Sequence, residues 1–292
     1  MQARQLLLKL RICRGINFRG EYRVYQWLKQ NLKVVSGKQD LDLDEQALIE
    51  IAQIKRSCQA QFRASFLSDQ LESDIALNER MCNYTTIFDE DYPPNLLEAG
   101  LPPMVLFYQG NIRLAHQKLL GMVGSRKNSG YAIQTMRALV PELVKNQIVT
   151  VSGLATGVDG LCHRLTIQNG GSTIAVIGTG LDYCYPRNNV RLQSLIAHDH
   201  LLLTEYPLGV SVRKHHFLER NRVIAGLIKN IIIIEAAQKS GSLITANLAL
   251  NNNRNVMAIP GPIGHCLSVG CNELIAEGAK PVLTVEDILE DF

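Results

Sequence analysis

What this 292-residue chain lacks narrows its class first. No apolar run approaches the roughly 20 residues that span a bilayer. The one N-terminal candidate, Leu6-Leu7-Leu8, is interrupted by Lys9 and Arg11, so neither a signal peptide nor a membrane anchor is expected. No cysteines stand in Cys-x-x-Cys spacing. The seven present, an odd number at irregular intervals, fit reduced thiols of a cytosolic protein better than a disulfide framework. His265-Cys266 with Cys271 resembles part of a metal site but has no evident fourth ligand, and no metal is expected. There is no Gly-x-x-x-x-Gly-Lys-Ser/Thr loop, which argues against ATP hydrolysis. Nor does either charge dominate: 30 Lys and Arg against 27 Asp and Glu leave +3, so only local clustering can argue for a polyanionic partner.

What is present divides the chain in two. Residues 1–82 read as helical, with Leu6, Leu7 and Leu10, then Val24, Trp27 and Leu28, at helical spacing and Gly15 and Gly20 between them. Asp44 to Cys58 reads as one further helix. Pro93-Pro94 and Pro102-Pro103 mark a connecting region, because proline removes a donor and restricts its neighbour. Across 83–292 short apolar runs alternate with helix-length segments: Leu119–Val123, Ile148–Val151, Thr173–Ile177, Leu201–Thr204, Ile231–Ile234 and Val256–Ile259. Unbroken apolar runs suit strands covered on both faces, so the pattern predicts an α/β domain with a doubly wound, mostly parallel sheet. Val105–Tyr108 is expected to add an edge strand, and Ser242 to cap a helix from Leu243 to Leu250.

In such a sheet ligands bind beyond the carboxyl ends of the strands. The loops there are rich in small residues: Gly124-Ser125-Arg126, Ser152-Gly153, Gly178-Thr179-Gly180 leading to Arg187, and Lys239-Ser240-Gly241. Small residues at helix starts expose N–H groups to an anion. Arg126, Arg187 and Lys239 add cations. Ser125 and Ser152 read as hydrogen-bond donors rather than as nucleophiles served by His163 or His216. Gly178-x-Gly180 begins a dinucleotide fingerprint, but Tyr183 occupies its third glycine, so no nucleotide cofactor is expected. After the fourth strand comes the densest cluster, residues 213–222. Arg213, Lys214, Arg220 and Arg222 against Glu219 give +3, with Phe217 among them. Cations beside a ring are what single-stranded nucleic acid requires, and a solvated helix start reads equally well from these residues alone.

The block Gly124–Ala279 resembles the bacterial DNA-processing protein A (DprA/Smf) family. The resemblance rests on Gly-Ser-Arg at 124–126, Ser-Gly-Leu-Ala-Thr-Gly-Val-Asp at 152–159 and Ala-Val-Ile-Gly-Thr-Gly-Leu-Asp at 175–182. Tyr-Pro-Arg-Asn at 185–188, Arg-Asn-Arg-Val-Ile-Ala-Gly-Leu at 220–227, Lys-Ser-Gly-Ser-Leu-Ile-Thr-Ala at 239–246 and Ile-Pro-Gly at 259–261 continue it. It implies an extended Rossmann-like domain at 83–292, preceded by a small all-α, sterile-alpha-motif-like domain at 1–82. It implies a cytoplasmic homodimer that binds single-stranded DNA, protects incoming DNA in natural transformation and loads the RecA recombinase, without catalysis. Carried over by position, the DNA site comprises Gly124, Ser125, Arg126, Ser152, Gly153, Arg187, Lys214, Phe217, Arg220, Lys239, Ser240 and Gly241. Leu218-Glu219 departs from the family's usual proline, which predicts a looser loop and an anion near phosphates. Two other classes remain: a phosphoribohydrolase-like enzyme that cleaves nucleotides, and an interaction scaffold that binds no DNA. The glutamate of the phosphoribohydrolase signature has no counterpart at Lys239–Ala246.

Overall fold

The computed structural model describes residues 1–31, 38 and 40–292. Five helices come first: α1 (Ala3–Ile12), α2 (Phe18–Asn31), α3 (Glu45–Ala52), α4 (Arg56–Phe66) and α5 (Asp69–Met81). The single helix expected over Asp44–Cys58 is two. Gln53 adopts a left-handed conformation (φ 52°), its N–H and that of Ile54 close on the carbonyls of Glu50 and Ile49, and the chain turns before α4. Asp44 caps α3 by accepting the Ala47 N–H at 2.8 Å.

The remainder runs β1 (Asn83–Thr86), α6 (Pro94–Leu97), β2 (Val105–Gly110), β3 (Leu119–Val123), α7 (Gly130–Lys145), β4 (Val149–Ser152), α8 (Val158–Gln168), β5 (Thr173–Val176), α9 (Val190–Asp199), β6 (Leu201–Thr204), α10 (Lys214–Leu227), β7 (Asn230–Ile233), α11 (Gly241–Asn251), β8 (Asn255–Ala258), α12 (Val269–Ala276), β9 (Lys280–Pro281) and α13 (Glu286–Leu289). The strands form one sheet in the order β1-β2-β6-β5-β4-β3-β7-β8-β9. From β6 through β9 every pairing is parallel; β2 pairs antiparallel with both β1 and β6. The fold is therefore α/β with a mostly parallel sheet, as expected, and each of the six anticipated apolar runs lies on a strand. The edge position is corrected. Val105–Tyr108 lies inside the sheet because β1, whose polar Asn-Tyr-Thr-Thr sequence carries no apolar signal, takes the outer place.

Alternate residues of the central strands enter different cores, which is why their sequences are apolar throughout. Leu120, Met122, Ile232, Ile234 and Met257 pack with α7, α8 and α13 on one face. Leu119, Val123, Ile231, Ile233 and Val256 pack with α10, α11 and α12 on the other. Leu7 and Leu8 of α1 and Tyr25 of α2 join this second cluster, while Leu6, Leu10, Val24 and Leu28 face the front helices' own core with Leu48 and Phe62.

Candidate nucleic-acid interface

The sheet order fixes where a cleft opens. From β3 the chain proceeds outward through β4, β5 and β6, then returns to the other side of β3 with β7. The loops after β3 and β7 thus diverge from adjacent strands to opposite faces, and the space between them is the switch point at which such sheets bind ligands. A cavity of about 240 Å³ occupies it, lined by Gly124, Ser125 and Arg126 after β3, by Ser240 and Gly241 after β7, and by Asp159, Phe217, Arg220, Asn221 and Thr245.

Glu235 ties the two loops together. Its carboxylate accepts the Ser129 N–H at 2.9 Å and the Ser129 hydroxyl, while that hydroxyl oxygen caps α7 by accepting from Tyr131 and Ala132. Gly124 is required by crowding: a Cβ there would meet Val158 Cγ2 at 2.8 Å and the Glu235 carbonyl at 3.0 Å. The Ser125 hydroxyl closes a local turn, donating to the Lys127 carbonyl and accepting the Lys127 N–H. Across the cleft, Lys239 holds a left-handed conformation (φ 58°) that starts α11 at Gly241, two residues before the predicted start. Ser240, not Ser242, occupies the cap position, and the two hydroxyls lie 2.9 Å apart. Neither α10 nor α11 has a side-chain cap, so their first N–H groups and positive dipole ends stay available to an anion.

The basic segment is the first half of α10, not a loop. Its four cations are not equivalent. Arg213 and Lys214 are exposed at the helix start. Arg220 is 4% exposed, and its guanidinium donates to the carbonyls of Gly153 and Val176, the latter at 2.6 Å. Arg222 turns inward onto Glu205 at 2.5 Å, with its guanidinium 5.1 Å from the Phe18 ring. Glu219 does not line the cleft; its carboxylate accepts the Tyr206 hydroxyl at 2.5 Å. The anion expected near phosphates is thus engaged elsewhere. Phe217 is half-buried, and its ring centroid lies 5.6 Å from the Arg126 guanidinium and 5.4 Å from the Tyr185 ring. Tyr185, Phe217 and Arg126 form a continuous ledge at the mouth of the cleft. Tyr185 is 46% exposed and was not among the residues singled out from sequence. The signal was present, since it is an aromatic beside a cation in a carboxyl-edge loop.

Seven of the twelve expected residues line the cavity: Gly124, Ser125, Arg126, Phe217, Arg220, Ser240 and Gly241. Arg187, Lys214 and Lys239 are exposed outside that lining. Ser152 and Gly153 are buried. The Ser152 hydroxyl donates to the Met122 carbonyl at 2.7 Å, and Gly153 lies directly under the Arg220 guanidinium. Burial pushes the Asp159 carboxyl above its ordinary range, with Arg220 opposing, and burial pulls Arg220 below its own. Burial also lowers His216, which stacks on Tyr206 at 4.2 Å. Asn189 donates to the Leu154 and Ala155 carbonyls and fixes the loop that carries Tyr185 and Arg187. His265, Cys266 and Cys271 do not assemble. Cys266 is exposed, whereas Cys271 is buried with its thiol toward the Ile233 carbonyl and pushed up to about 12.

The parallel sheet, its switch-point cleft and the cationic, aromatic rim of that cleft are those of a Rossmann-like protein. Residues 83–292 match the family model of DNA recombination-mediator protein A, and the chain belongs to that family. It is 47% identical over 207 residues to DNA processing protein DprA of Streptococcus pneumoniae, covering 71% of this chain and 73% of that protein. The crystal structure of DNA processing protein A from the same organism superposes with a TM-score of 0.89 at 37% identity, over 100% of this chain and 98% of that one. DNA processing protein A of Helicobacter pylori, whose structure describes its single-stranded DNA binding mode, superposes with a TM-score of 0.65 at 30% identity, over 73% of this chain and 98% of that one. Among the described residues, no helix is long and apolar enough to cross a membrane.

Proposed function

We propose that this protein is a non-catalytic, cytosolic recombination mediator that binds single-stranded DNA, protects incoming strands during natural transformation and loads RecA onto them as a homodimer. The ledge of Tyr185, Phe217 and Arg126 carries the DNA-binding reading. An unpaired base stacks on such a ring, whereas a duplex keeps its bases paired and stacked on one another. Arg126, Arg187, Lys214 and Lys239 hold successive phosphates, and the N–H groups of Gly124, Ser125 and Gly241 complete the cradle beside the Ser240 side chain, whose own N–H donates to the Ala237 carbonyl. Arg220, Ser152 and Gly153 act from beneath, keeping the floor of the cleft in shape. Family membership supports the mediator role. We place the boundary of the helical front unit at residue 82.

The test is a fluorescence-anisotropy titration of a labelled single-stranded oligonucleotide with the native protein, Phe217→Ala and Lys214→Ala. Both variants are expected to bind more weakly at unchanged unfolding midpoints. Unchanged affinity in both would overturn the site.

A further inference from the structure

The start of α10 brings together three groups that the DNA reading does not use. His215, His216 and Glu219 each offer one ligand atom, and these atoms lie within 4.8 Å of one another, the one such cluster of three or more among the described residues. The spacing is a consequence of the helix: His215 and Glu219 are four residues apart and His216 and Glu219 three, so Glu219 lies one turn on and neighbours both. His216 is only 6% exposed, and its Nδ1 has no hydrogen-bond partner within 3.5 Å. Tyr206 braces two of the three groups, stacking on the His216 ring at 4.2 Å and donating its hydroxyl to Glu219 at 2.5 Å. Such outer contacts orient metal ligands.

We propose that His215, His216 and Glu219 form a binding site for a divalent cation of the zinc class. Two imidazoles and one carboxylate are a recurrent zinc donor set that leaves the fourth position open. Bonds of about 2.1 Å in tetrahedral geometry need donor atoms about 3.4 Å apart, so the widest pair, within 4.8 Å, must close by up to about 1.4 Å. His215, exposed at the rim, is the member free to swing inward. Arg213, Lys214 and the positive end of α10 oppose a cation, which sets the affinity below that of a structural zinc site. A filled site puts two positive charges on the turn that carries Lys214 and Phe217. The inference stands on this geometry and does not depend on the DNA reading.

The test is titration of the reduced, full-length protein with Co²⁺, followed by visible absorption, and with Zn²⁺, followed by calorimetry. One ion per chain is expected, with a ligand-field band and no thiolate charge transfer. His215→Ala and Glu219→Gln are each expected to weaken binding at least 10-fold. His215 is exposed and its variant is expected to keep the native circular dichroism spectrum. No saturable binding would overturn the proposal, as would equal binding by a folded His215→Ala variant. A thiolate-to-cobalt charge-transfer band would also overturn it by placing the ion at a cysteine such as the exposed Cys266.

Discussion

At the scale of single residues, the cations of the basic segment divide by where their N–H groups go. Arg220 gives its guanidinium to two backbone carbonyls inside the protein, whereas Lys214 is exposed. Arg220→Ala would leave the Gly153 and Val176 carbonyls unpaired and remove the charge that opposes Asp159's loss of ionisation. It is expected to cost about 2–4 kcal/mol of stability, read from urea unfolding. Lys214→Ala is expected to leave the unfolding midpoint within experimental error. Phe217→Ala removes a stacking surface worth roughly 1–3 kcal/mol, which lowers single-strand affinity about 5- to 150-fold by anisotropy. Tyr185→Ala, at the other end of the ledge, tests a residue outside the twelve expected from sequence to form the DNA site. A loss of affinity is expected, and an unaffected variant would confine stacking to Phe217. Charge counts alone do not separate these roles, because they do not reveal which way a helical side chain points.

At the scale of elements, the parallel strands were legible because burial on both faces leaves an unbroken apolar run. β1 was not legible: its four residues are polar or aromatic, and its pairing with β2 comes from tertiary contact. The break between α3 and α4 was hidden for a related reason. Gln53 in a left-handed conformation leaves no mark of the kind glycine does. One element-level contact carries a pH dependence. His163 on α8 is fully buried and meets Thr173 of β5 at 2.7 Å through Nδ1. The Thr173 hydroxyl also lies 2.8 Å from the Thr150 hydroxyl and 3.1 Å from the Thr150 carbonyl, so His163 is held in a closed polar cluster. Burial lowers its pKa from 6.5 to about 3. A depressed folded-state value means that the unfolded chain takes the proton first. Stability is therefore complete above about pH 6.5 and falls as pH drops from there toward 3, by up to about 1.4 kcal/mol per unit. Urea midpoints at pH 7 and pH 5 are expected to differ accordingly, and to differ less in His163→Gln.

At the scale of the whole molecule, the cleft exists because the chain leaves β3 and β7 in opposite directions, a property of strand order that no local stretch encodes. The loops that border it were nonetheless legible, since small residues and cations recur where strands end. Their grouping became visible only in the fold, which left Ser152 and Gly153 beneath the floor and added Tyr185 to the rim. The front helices share their core with the sheet through Leu7, Leu8 and Tyr25, and Phe18 packs over Arg222 of α10. The helix that presents Lys214 and Phe217 is thus braced from both units. If Arg126, Arg187, Lys214 and Lys239 hold phosphates as proposed, the logarithm of the binding constant is expected to fall with the logarithm of salt concentration with a slope of about −3, reduced by about 0.7 in Lys214→Ala. The central claim is that the cleft receives unpaired, stackable bases on a cationic rim. The most direct measurement compares the affinity of the native protein for single-stranded and duplex DNA of equal length at one salt concentration. The single strand is expected to bind at least 10-fold more tightly, and duplex binding as tight or tighter would contradict the stacking of unpaired bases in the cleft.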